Sequence, residues 1–213
     1  MAVYTHLGAE DLAGLIAAYD VGELLSAKGI AEGVSNSNWL VETTRGRFIL
    51  TMYERRIDLA DLPYFLGLLD HLSARGCPVP CTIHDRTGAA SRMIDGKAVA
   101  LIEFLPGVSV DRPTPAQARN VGAVLAQMHL AAGDFSAHRP NDLGPATSAA
   151  VLHGCELDEL AGIDPGLPQA IALAEDVAEL WPGDLPVSTI HSDLFPDNVL
   201  MLGDKVSGLI DFY

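Results

Sequence analysis

A polar stretch near the end of the chain combines the residue types and the spacing that phosphoryl transfer requires. His191, Asp193 and Asn198 follow the pattern H-x-D-x-x-x-x-N, and Asp211 comes after them between two apolar residues. In this chemistry a carboxylate accepts the proton of the attacking hydroxyl, and hard oxygen atoms bind the Mg²⁺ that bridges the nucleotide phosphates. The pattern therefore predicts Asp193 as the base and Asn198 and Asp211 as metal ligands, with His191 orienting the loop. An ordinary polar turn between strands is the alternative, and the fixed spacing argues against it.

Short apolar segments flank the polar stretch and are expected to hold it in place. Strands are predicted at residues 187–190, 199–202 and 206–212, and residues 203–205 supply the turn between the last two. Because loops carried by strands can fix reacting groups, we expect the polar side chains to lie close together.

The first part of the chain predicts a small antiparallel sheet. A short helix at residues 11–19 precedes strands at 21–30, 39–44 and 47–53, and a polar turn at 29–38 joins the first two strands. Two glycines and a run of serines and asparagines in this turn could present donors to a phosphate. The chain has no G-x-x-x-x-G-K-[ST] sequence, which excludes a P-loop. A hairpin turn that binds nothing is the alternative for this segment considered by itself.

The middle of the chain predicts one main helix beside the sheet and then a mostly helical part. The apolar pattern indicates a helix at residues 61–75, strands at 81–85 and 98–104, and a break at Pro106-Gly107. We therefore place one lobe at residues 1–105 and a second at 106–213. Thr114, Pro115 and Gln117 are typical of a helix start, residues 133–146 of a loop, and residues 167–181 of a helix. The predicted fold class is α+β.

The composition argues against two classes of function. The 213 residues include 13 basic and 28 acidic side chains, and the formal net charge of −15 argues against nucleic acid, whose backbone requires a basic surface. No apolar run approaches the roughly 20 residues of a membrane span, and the N-terminus lacks the pattern of a signal peptide. The three cysteines are odd in number and poorly spaced for a metal site, which indicates free thiols in a cytoplasmic protein.

The sequence His191-Ser-Asp193-Leu-Phe-Pro-Asp-Asn198, followed by Ile210-Asp211-Phe212, resembles the catalytic stretch of the aminoglycoside phosphotransferase family of small-molecule kinases. That family is similar in fold to the protein kinases. Within it, the stretches at residues 29–38, 48–55 and 61–66 resemble the homoserine kinase branch. The resemblance implies a protein-kinase-like two-lobe fold, with an antiparallel sheet and one main helix in the N-lobe and a mostly helical C-lobe. It also implies ATP- and Mg²⁺-dependent phosphorylation of the hydroxyl of L-homoserine to O-phospho-L-homoserine, a step of threonine biosynthesis.

The resemblance further implies positions for the two substrates. The nucleotide phosphates would lie at Gly33, Ser35, Asn36, Asn38 and Thr51. The adenine pocket would be lined by backbone groups of Glu103, Phe104 and Leu105. Homoserine would lie at Asp193. Its carboxylate requires a cation, and we choose Arg139, between the predicted helices of the larger lobe, because an arginine can bind a carboxylate in bidentate fashion.

Two departures from the family pattern leave alternatives open. Thr51 stands where the family has a lysine on its third strand, and Phe65 stands where a glutamate would pair with that lysine. The chain also ends two residues after Asp211, where the family continues with a helical segment, so we expect a truncated C-lobe. The alternatives are a kinase for an aminoglycoside, choline or another hydroxylated amine, and a nucleotide-binding pseudokinase that transfers nothing. The oligomeric state stays open.

Overall fold

The computed structural model describes residues 5, 7–30, 36–54 and 58–212. In this part of the chain the helices α1 to α6 are Ala9–Ile16, Leu62–Ala74, Pro115–Ala131, Pro145–His153, Leu157–Ile163 and Leu167–Leu180. The strands β1 to β8 are Leu24–Ile30, Asn36–Thr43, Gly46–Tyr53, Thr82–Ile83, Arg92–Ile94, Lys97–Glu103, Val199–Leu202 and Lys205–Leu209. The chain forms two compact units, Met1–Ala137 with Ser188–Tyr213, and His138–Val187.

The main sheet of the first unit is antiparallel, with the strand order β1-β2-β3-β6-β4 and with β5 paired to β6. Alternate residues of a strand point to opposite faces, so the side chains of β3 pack into two hydrophobic clusters, one on each face of the sheet. Helix α1 covers the face that carries Leu50 and Met52, and helix α2 covers the face that carries Tyr53. Thr51, two positions before Tyr53, therefore lies on the α2 face, in register with Asn38 of β2.

Strands β7 and β8 form a separate antiparallel hairpin that packs on α2 and α3. Val199, Val206 and Leu209 of the hairpin share a buried cluster with Leu72 of α2 and Met128 of α3. Burial of such side chains stabilises the fold by about 1.5–3 kcal/mol each. The hairpin that carries the polar loop is therefore held by the core of the first unit.

The predicted start of α3 is confirmed, and it also anchors this hairpin. The N–H of Thr114 donates to Gln117 Oε1 over 2.9 Å, and the N–H of Gln117 donates to Thr114 Oγ1 over 3.2 Å, which is a capping box. The side chains of Gln117 and Asn120 then donate to the carbonyls of Gly203 and Asp204 over 3.0 and 2.8 Å. The turn between β7 and β8 is thereby fixed to α3.

The segment that follows β6 runs beside β7. Val108 and Met201 exchange two backbone hydrogen bonds of 3.1 and 2.9 Å. Gly107 has a φ of 153°, and a Cβ atom built on it would lie 2.4 Å from Ser207 Oγ. Only glycine lets the two segments approach this closely, because it carries no Cβ.

The second unit contains α4, α5 and α6. Helix α6 confirms the prediction for residues 167–181, whereas α4 and α5 were not predicted from the sequence. Helix α4 is rich in alanine and α5 is short, so neither shows a strong apolar periodicity. The buried residues that the structure describes in this unit are Ala149 and Leu160, which makes its core small.

Several predicted strand bounds are wrong. Strand β2 begins at Asn36 instead of residue 39, so the end of the predicted polar turn at 29–38 belongs to a strand. Residues 187–190 form no strand, because they pair with no strand in the described ranges, and Val187 is 98% exposed. Strand β8 ends at Leu209 instead of residue 212, because Asp211 has a φ of 68° that an extended strand does not contain. Strand β1 begins at Leu24 instead of residue 21, because Gly22 has a φ of 87° that an extended strand does not contain.

Three further expectations can be compared with the structure. The three cysteines are free thiols, as predicted. None of the helices within the described ranges is both long and apolar enough to cross a membrane. The lobe boundary after residue 105 stays a prediction, and the first compact unit runs across that position.

Candidate active site

His191 joins the start of the polar loop to the end of the β7–β8 hairpin. Its Nε2 donates to the carbonyl oxygen of Ile210 over 2.8 Å, and its ring centroid lies 4.6 Å from that of Phe212. The side chain is buried, and Nδ1 has no hydrogen-bond partner in the described part of the chain. A buried imidazole held on two sides fixes the backbone next to it, which supports the predicted orienting role.

Asn198 connects the two ends of the loop that contains Asp193. Its Nδ2 donates to the backbone carbonyl of Asp193 over 2.8 Å and lies 3.5 Å from Asp193 Oδ2. Its backbone carbonyl accepts the N–H of Ile210 over 3.0 Å. Asn198 is buried while Asp193 is exposed. The amide nitrogen is therefore committed to the loop, and Oδ1 is the atom of this side chain suited to a cation.

Asp211 follows directly after the hairpin in a left-handed conformation, with a φ of 68°. Ser192, beside the predicted base, has a φ of 70°. Non-glycine residues adopt this conformation at a cost of about 1–3 kcal/mol each, and such residues cluster at functional sites. The polar loop and the following segment thus both carry backbone strain next to the predicted catalytic groups.

Neighbouring carboxylates make ionisation of Asp211 less favourable. Partial withdrawal from water raises the pKa of Asp211, the negative charges of Asp193 and Asp197 raise it further, and His191 acts in the opposite direction. A cation bound at Asp211 would relieve this repulsion, because opposite charge favours the ionised carboxylate.

The donor set fits a magnesium ion that arrives with phosphate. The described ranges contain no cluster of three or more His, Cys, Asp or Glu side chains that could hold a metal by themselves. Mg²⁺ is normally held by one or two carboxylates together with phosphate oxygens and water, so a complete protein cage is not required. Asn198 Oδ1 and the carboxylate of Asp211 are oxygen donors of the type that this ion prefers.

Three of the five residues predicted to contact the phosphates, Asn36, Asn38 and Thr51, lie within the described ranges. Gly33 and Ser35 lie outside the described residues, and Asn36 and Asn38 lie at the start of β2. Thr51 is fully buried and donates its hydroxyl proton to Asn38 Oδ1 over 2.8 Å. Its hydroxyl hydrogen is therefore not available to a phosphate, and any effect of Thr51 on a nucleotide passes through Asn38.

A family model described as the phosphotransferase enzyme family matches residues 26–213. Over its whole length the chain is 48% identical to homoserine kinase from Hyphomonas neptunium and 47% identical to homoserine kinase from Acidiphilium cryptum.

The chain belongs to the phosphotransferase enzyme family.

The alignments with these two relatives cover 66% and 67% of their lengths, so the chain spans about two thirds of the curated relatives it matches.

Solved structures share the fold of this chain. A spectinomycin phosphotransferase in complex with ADP and spectinomycin has a TM-score of 0.70 at 16% identity, covering 98% of this chain and 69% of that chain. Aminoglycoside phosphotransferase APH(4)-Ia in a ternary complex with AMP-PNP and hygromycin B has a TM-score of 0.68 at 17% identity, covering 96% and 71%. At these identities the likeness concerns the fold alone. The predicted protein-kinase-like α+β fold is thereby confirmed.

The segment predicted to line an adenine pocket begins at Glu103, the last residue of β6. Glu103 donates its N–H to the carbonyl of Cys81 over 2.9 Å, and its Oε2 accepts the N–H of Cys81 over 3.4 Å. The guanidinium of Arg47 lies 4.3 Å from the centroid of the Phe104 ring. Phe104 and Leu105 make no backbone–backbone hydrogen bond within the described ranges. Their peptide groups are therefore better placed than the N–H of Glu103 to bind a base.

Arg139 lies in the second compact unit. Its Nη2 forms an ion pair with Asp142, and its Nη1 donates to the carbonyl of Pro140 over 3.2 Å. The guanidinium is thus already engaged within its own unit. Its role as a carboxylate partner for the acceptor stays a prediction.

Two charged residues near the predicted site residues were not predicted from the sequence. Asp197 contributes to the raised pKa of Asp211, and its position directly before Asn198 could have indicated it. Glu54 follows β3 and contacts Asn36 and Ser37. The signal for Glu54 was a single carboxylate directly after a mostly apolar strand, which is weak without knowledge of the neighbouring strands.

Proposed function

We propose that this chain is the nucleotide-binding and catalytic part of a kinase that phosphorylates the hydroxyl of L-homoserine with ATP. The contact between Asn198 Nδ2 and the carbonyl of Asp193 carries the proposal, because it joins the predicted base and the predicted metal-binding side chain in one loop. Homoserine kinases at 47–48% identity over the whole chain support the choice of acceptor.

The proposed reaction is an in-line transfer. The hydroxyl oxygen of homoserine forms a bond to the γ-phosphorus, and the bond from that phosphorus to the bridging oxygen breaks, so that ADP leaves with the electron pair. The carboxylate of Asp193 accepts the hydroxyl proton. His191 keeps the loop in place, and the product is O-phospho-L-homoserine.

Asn198 Oδ1 and Asp211 would hold Mg²⁺ in this proposal. A bound magnesium ion would supply positive charge to the phosphate oxygens. The protein itself offers little such charge, since its net charge is −15 and no lysine flanks Thr51, whose cross-strand neighbours are Asn38 and Ala100. Neutral donors and the metal ion must therefore carry most of the phosphate binding.

Asn36 and Asn38 are the proposed side-chain contacts to the phosphates, with Thr51 acting through Asn38. Gly33 and Ser35 stay predicted contacts of the same kind. We propose that the backbone groups of Phe104 and Leu105 bind the adenine and that Glu103 lies at the edge of the same pocket. The cytoplasmic location also stays a prediction. The same holds for the expectation that the ligands are small molecules and that neither nucleic acid nor a membrane is a partner.

ADP release over a panel of acceptors tests this function. The assay would use L-homoserine, choline and an aminoglycoside, with this chain and with the longest product of its gene, and with the Asp193→Asn variant as the control. ADP release with homoserine alone, lost in the variant, is the expected result. Turnover with choline or the aminoglycoside but not with homoserine would overturn the acceptor, and nucleotide binding without turnover in the longest product would favour a pseudokinase.

A further inference from the structure

Glu54 is a buried carboxylate that the proposed mechanism does not use. Its side chain is 4% exposed and forms an ion pair with Lys97, the first residue of β6. Its Oε1 accepts the hydroxyl of Ser37 over 2.6 Å, and its Oε2 accepts the hydroxyl of Thr5 over 3.1 Å. A buried charge with this many partners is costly to build, because each partner must be ordered and desolvated.

The same residue holds the start of β2 from both faces of the sheet. The carboxylate binds Ser37 on the α1 face, and the backbone N–H of Glu54 donates to Asn36 Oδ1 over 3.4 Å. Asn38, two residues further along β2, is held by the hydroxyl of Thr51, which donates to its Oδ1. Consecutive polar residues of β2 are thus each held by a residue at the end of β3.

These bonds determine which atoms the two asparagines can offer to a ligand. Asn36 and Asn38 each use Oδ1 as an acceptor within the sheet. Their Nδ2 groups have no partner in the described ranges, and an amide –NH₂ can only donate. Donors suit the oxygens of a phosphate, whereas the carbonyl oxygens of these amides would repel them.

The charge state of Glu54 is consistent with a fixed anchor. Burial opposes its ionisation, but the hydrogen bonds from Lys97, Ser37 and Thr5 outweigh that effect and hold its pKa below the usual value. The carboxylate therefore stays ionised across the physiological pH range. The anchor also joins four segments that are distant in the chain, namely the N-terminal segment, β2, β3 and β6.

We infer that Glu54 is a positioning residue for the nucleotide, which fixes the start of β2 so that Asn36 and Asn38 present their amide donors to the phosphates. This inference rests on the proposed function. Glu54 itself touches no phosphate in this view and acts through Asn36 and Ser37.

The test compares two variants that each remove one hydroxyl donor from the same carboxylate. Ser37→Ala releases β2 from Glu54 and also removes the acceptor of the Thr5 N–H. Thr5→Val removes the contacts of the Thr5 hydroxyl with Glu54 and Lys97 and leaves Ser37 bound to the carboxylate. Affinity for Mg²⁺–ADP would be measured by calorimetry on the whole chain, with circular dichroism and thermal unfolding as folding controls. We expect the Kd to rise at least about fivefold for Ser37→Ala and to stay within about twofold for Thr5→Val, although both lower the Tm.

A double-mutant cycle strengthens this comparison. If Ser37 acts through Glu54, Ser37→Ala should add nothing to the loss of affinity already caused by Glu54→Ala. Where Glu54→Ala does not fold, the comparison of Ser37→Ala with Thr5→Val decides alone. Equal effects of those two variants on the Kd would overturn the inference, because a purely structural anchor would not distinguish them. A parent chain that binds no nucleotide would overturn both the inference and the nucleotide site of the proposed function.

Discussion

The side-chain amide of Asn198 donates a hydrogen bond to the backbone carbonyl of Asp193, five residues earlier in the same loop, over 2.8 Å. The backbone carbonyl of Asn198 accepts the N–H of Ile210, the residue before Asp211, over 3.0 Å. One buried residue thus connects the predicted base with the predicted metal-binding carboxylate. Neither carboxylate needs to be held by its own side-chain contacts, which leaves both free for ligands.

Asp193→Asn should reduce turnover by about 100-fold or more, because it removes the group that accepts the hydroxyl proton. The shape of the side chain is retained, so the hydrogen bond from Asn198 to the backbone carbonyl should persist. Affinity for ADP, measured by calorimetry, should change by less than about twofold. Turnover close to that of the parent would remove Asp193 from the mechanism.

Asp211→Asn should stabilise the unliganded protein. The pKa of Asp211 is raised in the folded state, so the folded chain holds this proton to a higher pH than the unfolded chain. Stability therefore falls as pH rises from the ordinary pKa of an aspartate through the raised value, and the loss is complete at neutral pH. Removing the charge should raise the Tm at pH 7 by about 1–3 °C.

In the same variant, Mg²⁺ should no longer strengthen nucleotide binding. Mg²⁺ should strengthen nucleotide binding to the parent and not to Asp211→Asn, since an amide oxygen is a poorer ligand than a carboxylate. Calorimetric titrations with and without Mg²⁺ measure this difference. An unchanged enhancement by Mg²⁺ would contradict the assignment of Asp211 as a ligand.

The contact between His84 and Asp70 should make stability depend on pH. A hydrogen bond between His84 Nδ1 and the Gly88 carbonyl raises the pKa of His84, and the bond of 2.7 Å to Asp70 raises it further. Because the folded pKa is the higher one, this contribution is fully present below about pH 6.5 and is lost as pH rises through the raised pKa.

Asp70→Asn should remove most of that dependence. The drop in Tm between pH 6 and pH 8 should be smaller in the variant than in the parent by about 1–2 °C. The bond from the N–H of Thr82 to Oδ1 of residue 70, which is 2.8 Å long, can persist with an amide oxygen. An identical drop in both proteins would show that the pair does not link pH to stability.

Gly107→Ala should destabilise the protein by about 2–3 kcal/mol, because its Cβ would collide with Ser207 Oγ and approach the N–H of Met201 to 3.2 Å. Gly122→Ala in α3 is the matched control, since its Cβ meets nothing within 4 Å. The control should stabilise the protein by about 0.5–1 kcal/mol. Urea unfolding of both variants measures the two changes, and similar values would refute the close approach at Gly107.

Arg139→Ala should raise the KM for homoserine at least about tenfold, roughly 1.4 kcal/mol, and leave the KM for ATP unchanged. The longest product of the gene should be used for this measurement. Asp142→Ala serves as the control, because it frees the guanidinium of Arg139 and should not raise the KM. An unchanged KM in Arg139→Ala would exclude this residue as the carboxylate partner.

Local patterns in the sequence were enough to predict several elements of this protein. The alternation of apolar residues placed β3, and the periodicity of α2 and α6 placed those helices within one or two residues. The capping box of Thr114 and Gln117 is a contact within one turn, so its residues alone specified it. The spacing from His191 to Asn198 predicted the polar loop, because groups a few residues apart in a tight loop cannot lie far from one another.

Tertiary structure decided the features that depend on which segments become neighbours. Glu54 and Lys97 lie 43 positions apart, and only the pairing of β3 with β6 brings them together. The hydroxyl of Thr51 faces Asn38 because β2 and β3 pair in that register, which the sequence of β3 does not contain. Residues 187–190 include the β-branched Val187, Thr189 and Ile190 but pair with no described strand, so their composition predicted a strand that the fold does not form. Short segments have weak intrinsic preferences, and the desolvation and hydrogen bonds that decide their structure come from distant parts of the chain.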